Sequence, residues 1–369
     1  MPRCCDAGAA MNAVLEIANL HVSFADTAAV RGVSLLVQRG ETHCLVGESG
    51  CGKSVTALAV MNLLARGAER RADVLRFHDT DLIRLPEHAM ARLRGDKLAM
   101  IFQEPMTSLN PAYTIGSQMA EVLRRHRRVT RAAALDRAAE LLGRVGITAP
   151  GMRLGQHPHQ LSGGLRQRVM IAMALMCDPA LLIADEPTTA LDVTVQAQIL
   201  RLLQTLQREL GLALLLITHD LGIVARMAQH VSVMYAGEVV ESGPVDRVFA
   251  APTHPYTRGL LACIPVPGTV RRGEPLGSIP GTVPRVTRGF AGCGFRDRCA
   301  HAMAVCAARP PVREVALAEV EGDSVTQRGT LTLPHESSTR GQASPASGRG
   351  KGHNCLCHLP AGWMRAEAV

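Results

Sequence analysis

The chain has 369 residues, 47% of them hydrophobic and only 3% aromatic, with 40 Lys and Arg against 32 Asp and Glu for a formal net charge of +8. That length suffices for two domains, and the dispersed arginines without interleaved aromatics argue against nucleic-acid binding despite a pI near 9.1. No run reaches the about 18 uninterrupted apolar residues of a membrane-spanning helix; Val169 to Ile183 comes nearest and is broken by Asp178-Pro179.

Met1 to Ala10 carries Arg3 and Asp6 and lacks an apolar run, so residues 1–12 are expected to form a flexible tail rather than a secretory signal, with Met11 as an alternative start. His43-Cys44-Leu45-Val46 suits a buried parallel strand, and Lys53 to Leu64 has the apolar spacing of a helix. Between them runs Gly47-Glu48-Ser49-Gly50-Cys51-Gly52-Lys53-Ser54, which fills the pattern G-x-x-x-x-G-K-[ST]. Glycines at such a junction let successive backbone N–H groups converge on phosphate oxygens, and the helix N-terminus adds partial positive charge. Lys53 is therefore expected to reach the β- and γ-phosphates and Ser54 to ligate Mg²⁺.

Residues 108–153 read as helices, and the run Arg124-Arg125-His126-Arg127-Arg128 with Arg131 as a solvated helix face, or else one attracted to an anionic leaflet. Leu161-Ser162-Gly163-Gly164 reads as a helix start with Ser162 as cap and an apolar helix through Met176. Leu181 to Ala184 is apolar and then ends in Asp185 and Glu186. A buried strand has no reason to place charge there unless that end faces a ligand, as the carboxyl edge of a parallel sheet does. Asp185 can hold Mg²⁺, and Glu186 can orient and polarise the attacking water. Thr218-His219-Asp220 closes a further apolar strand.

Taken in this order, the loop, the Leu-Ser-Gly-Gly run and the two strand ends resemble the nucleotide-binding subunit of ATP-binding cassette (ABC) transporters, over Leu15 to about Pro265. The resemblance implies an α/β P-loop ABC cassette at 13–265, with a RecA-like core, an antiparallel β subdomain and an inserted helical subdomain at about 106–160. It implies an ATPase using ATP and Mg²⁺, with Gln103 as the lid glutamine sensing metal and water, and His219 as the switch on the γ-phosphate. Phe24 would stack on adenine, and Gly47 to Ser54 with Val55 would hold the nucleotide. Leu161, Ser162, Gly163 and Gly164 would act on ATP held by the opposite subunit, and Asp192 would touch that subunit. Two cassettes then pack head to tail, and the isolated chain hydrolyses ATP slowly. One departure, Leu165 where the family commonly has Gln, bears only on a side-chain contact to the nucleotide.

Met106-Thr107-Ser108-Leu109-Asn110-Pro111, Tyr235 to Glu241 and His254-Pro255-Tyr256-Thr257 resemble the dipeptide, oligopeptide and nickel importer subfamily, in which the His-Pro-Tyr element opens a C-terminal extension, here 266–369. This implies a subunit powering import of di- and oligopeptides. Nickel or another small solute is the alternative cargo, and a soluble cassette protein of translation or DNA repair the remote one. The implied partners are a second, homologous ATPase subunit in a heterodimer, two membrane permease subunits and, indirectly, a solute-binding protein. The implied place is peripheral, on the cytoplasmic face of the inner membrane.

A reducing compartment disfavours disulfides among the 11 cysteines and gives metal ligation weight. Cys4 and Cys5 sit in the tail, and Cys44, Cys51, Cys177 and Cys263 read as small core or loop residues. The spacing of Cys293, Cys299 and Cys306 names no metal by itself. The subfamily resemblance implies a [4Fe-4S] cluster on these three and a fourth cysteine before His-x-Pro, which Cys357 fits better than Cys355; Zn²⁺ is the alternative. The polar insertion at about 318–354 is expected to be disordered. Doubling a loop adds only about 0.6 kcal/mol of closure entropy, so the insertion need not keep the thiolates apart.

Overall fold

A computed structural model describes residues 12–103, 108–189, 191–264, 277–315 and 352–359. They form two compact units: Asn12–Val239 with Val283–Phe290, and a smaller one drawn from Val240–Thr282 and Ala291–Val369. The expected N-terminal tail, Met106 and Thr107, and nearly all of the insertion lie outside the described residues.

The larger unit begins with a long antiparallel hairpin of β1 (Ala13–Phe24) and β2 (Thr27–Gln38). Leu15 and Ile17 face the core, then Leu20 and Val22 do. The change of parity follows from a bulge between Ile17 and Leu20, where Asn19 takes a left-handed conformation at φ 54°. One inserted residue restores the apolar face that a strict alternation would have lost. Next come β3 (Thr42–Val46) and α1 (Lys53–Val60), followed by β4 (Ala68–Arg71), β5 (Val74–Phe77) and β6 (Thr80–Asp81), which complete the antiparallel sheet around β1.

Helix α1 is shorter than the sequence spacing suggests. It stops because Asn62 turns left-handed at φ 53°, with Leu63 N–H donating to Leu58 C=O (2.9 Å) and Asn62 N–H to Ala59 C=O (3.3 Å). That pair of bonds is a Schellman C-terminus, which satisfies the last carbonyls and ends the helix.

After α2 (Glu87–Leu93) and β7 (Leu98–Ile101) come α3 (Ile115–His126), α4 (Arg131–Arg144) and α5 (Pro150–Leu154). Thr114 and Thr130 cap α3 and α4 by accepting from Ser117 N–H (3.3 Å) and Ala133 N–H (3.2 Å). Arg124 and Arg125 are exposed in the last turn of α3, where cations complement the helix dipole. Next are α6 (Gly163–Ala174), β8 (Leu181–Asp185), α7 (Val193–Leu210), β9 (Ala213–Thr218), α8 (Leu221–Met227) and β10 (His230–Tyr235). The strands β10, β3, β9, β8 and β7 lie side by side in that order, all parallel. Every residue of β3, β8 and β9 is buried, which is why they read as unbroken apolar runs rather than as alternation.

The smaller unit holds most of β11 (Glu238–Pro244), then α9 (Val245–Ala250), α10 (Pro255–Ala262), β12 (Val312–Val315) and β13 (His353–Leu356). Strand β13 pairs antiparallel with both β11 and β12. Among the described residues, no helix is long and apolar enough to cross a membrane.

Candidate functional site

Four neighbouring parallel strands deliver the predicted polar residues to one edge. β3 ends at Val46 and enters the glycine loop, β8 ends at Asp185-Glu186, β9 at Thr218 before His219, and β7 two residues before Gln103. Because all four are parallel, their carboxyl ends lie together, which is where an open α/β sheet binds its ligands.

The glycines of the loop are fixed by space as much as by conformation. At Gly47 a Cβ would collide with the Met234 carbonyl oxygen, and at Gly52 (φ 109°) with that of Ala29. Lys53 is buried at the start of α1, and its Nζ donates to the Gly47 and Glu48 carbonyls at 2.8 and 2.9 Å. The ammonium thus folds back into the loop, held by neutral carbonyls that a phosphate oxygen outcompetes as an acceptor. Cys51 is buried, and burial raises its thiol pKa, so it stays a neutral packing residue.

Ser54 Oγ donates to Asp185 Oδ1 at 3.1 Å. Burial pushes the Asp185 carboxyl upward; the Ser54 bond opposes this and the neighbouring Glu186 charge adds to it. A buried carboxylate beside a hydroxyl is a hard-oxygen pair that gains by meeting a cation, and Mg²⁺ takes such ligands together with substrate phosphate. The donor set fits that ion.

Glu186 is shifted the other way. Burial would raise its pKa, but hydrogen bonds from Thr189 Oγ1 (2.9 Å) and His219 Nδ1 (3.3 Å) outweigh it and leave the carboxyl below its ordinary value. Gln103 Nε2 donates to the same group at 3.1 Å. Two adjacent carboxylates driven apart in pKa are the mark of divided roles. The backbone of Glu186 is itself strained, at φ 44°, a conformation that non-glycine residues hold at a cost and often at functional positions.

Gln103, Glu186 and His219 are therefore brought together, as are Ser54 and Asp185. Phe24 ends β1, partly buried against the apolar core. The signature run lies elsewhere in this unit. Ser162 caps α6, accepting from Leu165 N–H at 3.4 Å, and Ser162 and Gly163 are exposed. Asp192 is exposed and caps α7 through Val195 N–H at 2.9 Å. Sequence reasoning missed Thr189 as a partner of Glu186; its only trace is a hydroxyl three residues downstream.

The smaller unit has its own candidate site. Cys293, Cys299, Cys306 and Cys357 line one cavity with His254, Phe295 and other residues, while Cys355 is buried in β13 and does not line it. Burial raises the pKa of Cys299 and of Cys357. Among the described residues, however, no three His, Cys, Asp or Glu side chains are grouped as the ligands of a metal ion. Buried Glu241 ties the surroundings together: Oε1 accepts from Thr253 N–H (2.7 Å) and His353 Nε2 (2.6 Å), and Oε2 from His254 N–H (3.0 Å). That network was not foreseen from the sequence.

Comparison with known proteins agrees with this geometry. The ABC transporter family matches residues 30–189, and the oligopeptide/dipeptide transporter C-terminal region matches residues 240–306. A protein of Brucella melitensis described as a peptide import ATP-binding protein is 54% identical over 317 residues, covering 82% of this chain and 94% of its own. The dipeptide transport ATP-binding protein DppD of Bacillus subtilis is 50% identical (80% and 89% covered), and the oligopeptide transport ATP-binding protein OppD of Escherichia coli 47% (82% and 90%). Among solved structures, the dimeric structure of a bacterial ABC transporter cassette superposes with a TM-score of 0.56 at 26% identity, covering 63% of this chain and 98% of that one. The glycine loop and polar residues at the carboxyl edge of the parallel sheet agree with the extended similarity, and the chain belongs to the ABC transporter family, as an ATPase with an oligopeptide/dipeptide-transporter C-terminal region.

Proposed function

We propose that this subunit powers import of dipeptides and oligopeptides through a membrane transporter. The observation that carries the cargo class is the match of residues 240–306 to the oligopeptide/dipeptide transporter region, in a chain whose relatives are named for peptide import. Uptake of labelled peptide and of nickel into proteoliposomes bearing the assembled transporter tests it: ATP-dependent accumulation of peptide is expected, and accumulation of nickel alone would reassign the cargo.

In this reading Gly47 to Val55 cradle the phosphates, Phe24 stacks on adenine, and Lys53 exchanges its two carbonyls for phosphate oxygens. Ser54, Asp185 and Gln103 would hold Mg²⁺, which when bound neutralises charge developing on the phosphates. Glu186, ionised under the influence of Thr189 and His219, accepts a proton from the attacking water, and His219 contacts the γ-phosphate. Leu161 to Gly164 and Asp192 serve the nucleotide of a second, homologous cassette subunit, a reading supported by the exposure of Ser162, Gly163 and Asp192 and by the dimeric form of a similar cassette. Two permease subunits would hold the pair at the cytoplasmic face of the membrane, with a solute-binding protein acting through them.

For the extension we propose that Cys293, Cys299, Cys306 and Cys357 hold a [4Fe-4S] cluster. Support comes from the four thiols sharing one cavity. Thiolate ligation would tie the segment before the insertion to the one after it. Anaerobic purification followed by iron, sulfide and zinc analysis separates the cases: colourless protein with one zinc assigns Zn²⁺ instead, and metal-free protein rules out both.

A further inference from the structure

His254 raises a question that helix capping does not answer. It is 1% exposed and caps α10, accepting the Tyr256 N–H on Nδ1 at 3.1 Å. That bond needs a lone pair on Nδ1, so the ring is neutral and its proton sits on Nε2. Nε2 is buried and meets no hydrogen-bond partner among the described residues, and the ring lines the cavity shared by Cys293, Cys299, Cys306 and Cys357. Ser or Asp would cap the helix as well without burying an imidazole N–H, so the cap alone gives no reason for an imidazole. Phe295, between the first two of these cysteines in sequence, packs on the ring with centroids 5.9 Å apart and holds its orientation. Two other imidazoles, His301 and His358, line the cavity, and His358 is engaged through Nε2 with the Ala308 carbonyl at 3.0 Å.

We infer that the Nε2–H of His254 donates a hydrogen bond to a sulfur of the metal–sulfur group held by the four cysteines, making His254 a positioning residue for that group. The inference rests on the proposed cysteine site. Its consequence is electronic as well as geometric: a hydrogen bond to a thiolate or sulfide sulfur draws off negative charge, which favours the reduced form and strengthens retention of the metal. It also links cluster and fold, since the same ring starts α10 and its backbone N–H is held by Glu241.

The test compares anaerobically purified full-length protein with the His254→Ser variant, in which the short hydroxyl still accepts the Tyr256 N–H but reaches nothing at the place of Nε2. Iron and sulfide content, the rate of iron release to a ferrous chelator and the midpoint potential are measured. The expected result is release about tenfold faster, as for the loss of one charge-assisted hydrogen bond, and a lower midpoint potential. A folded, loaded variant with unchanged release and potential overturns the role of His254 alone. Wild-type protein without iron and sulfide overturns the cysteine site and this inference with it. A second measurement needs no variant: with ¹⁵N-labelled histidine, pulsed EPR of the reduced wild-type cluster should detect a coupled histidine nitrogen, and its absence in a loaded sample contradicts the hydrogen bond.

Discussion

Glu186 shows how one carboxyl is set by opposing influences. Burial raises its pKa, the donors Thr189 and His219 lower it, and the donors win. The general base proposed here works only when ionised, so kcat/KM should fall as pH drops through this pKa. Replacing Thr189 by Val removes one donor, which raises the pKa. The acid limb of the pH profile should therefore move to higher pH, with a small rate loss at neutral pH that grows under acid conditions. Profiles of wild type and variant that superimpose on the acid side would exclude the arrangement. Residue-scale legibility follows the same line. Lys53, Ser54, Asp185 and Glu186 declare themselves because charge at the end of an apolar strand, or a lysine after a fixed glycine pattern, is costly without a ligand. Thr189 does not, because Ser and Thr after a strand are ordinary turn residues.

At the scale of elements, starts are clearer than ends. Ser162 marks α6 because caps are local. The stop of α1 at Val60 was not evident, since Leu63 and Leu64 keep the apolar spacing and only the left-handed turn at Asn62 decides it. Least legible is the tie between β11 and β13, where Glu241 and His353 meet across 112 positions. No local pattern carries such a pairing. Its importance can be measured. In Glu241→Gln one carbonyl oxygen is left to accept, so at least one of the three donors meets the new amide N–H₂ instead of an acceptor. This should cost about 2 kcal/mol or more. Hydrogen exchange of the amides of residues 352–359 should lose protection in the variant, and unchanged protection would mean that the carboxylate does not anchor β13.

For the molecule as a whole, the larger unit contains the residues proposed for hydrolysis and exposes Ser162, Gly163, Asp192 and Val193, the last at 81%, on its surface. Exposed Ser162 and Gly163 accord with the proposal that the site is completed by a second cassette. Coupling to the permease is expected through 106–111, of which Ser108 and Asn110 are described and exposed. Cysteines at these two positions should crosslink to the pore subunit in at least one nucleotide state; failure in every state would move the coupling surface elsewhere. The central claim is that Glu186 drives ATP hydrolysis at the carboxyl edge of the parallel sheet. Its most direct test is ATP turnover by the assembled transporter carrying Glu186→Gln, with nucleotide binding measured alongside. Gln keeps the shape and removes the base, so ATP should bind as before while turnover falls by about 10²-fold or more. Turnover near the wild-type rate would contradict the account.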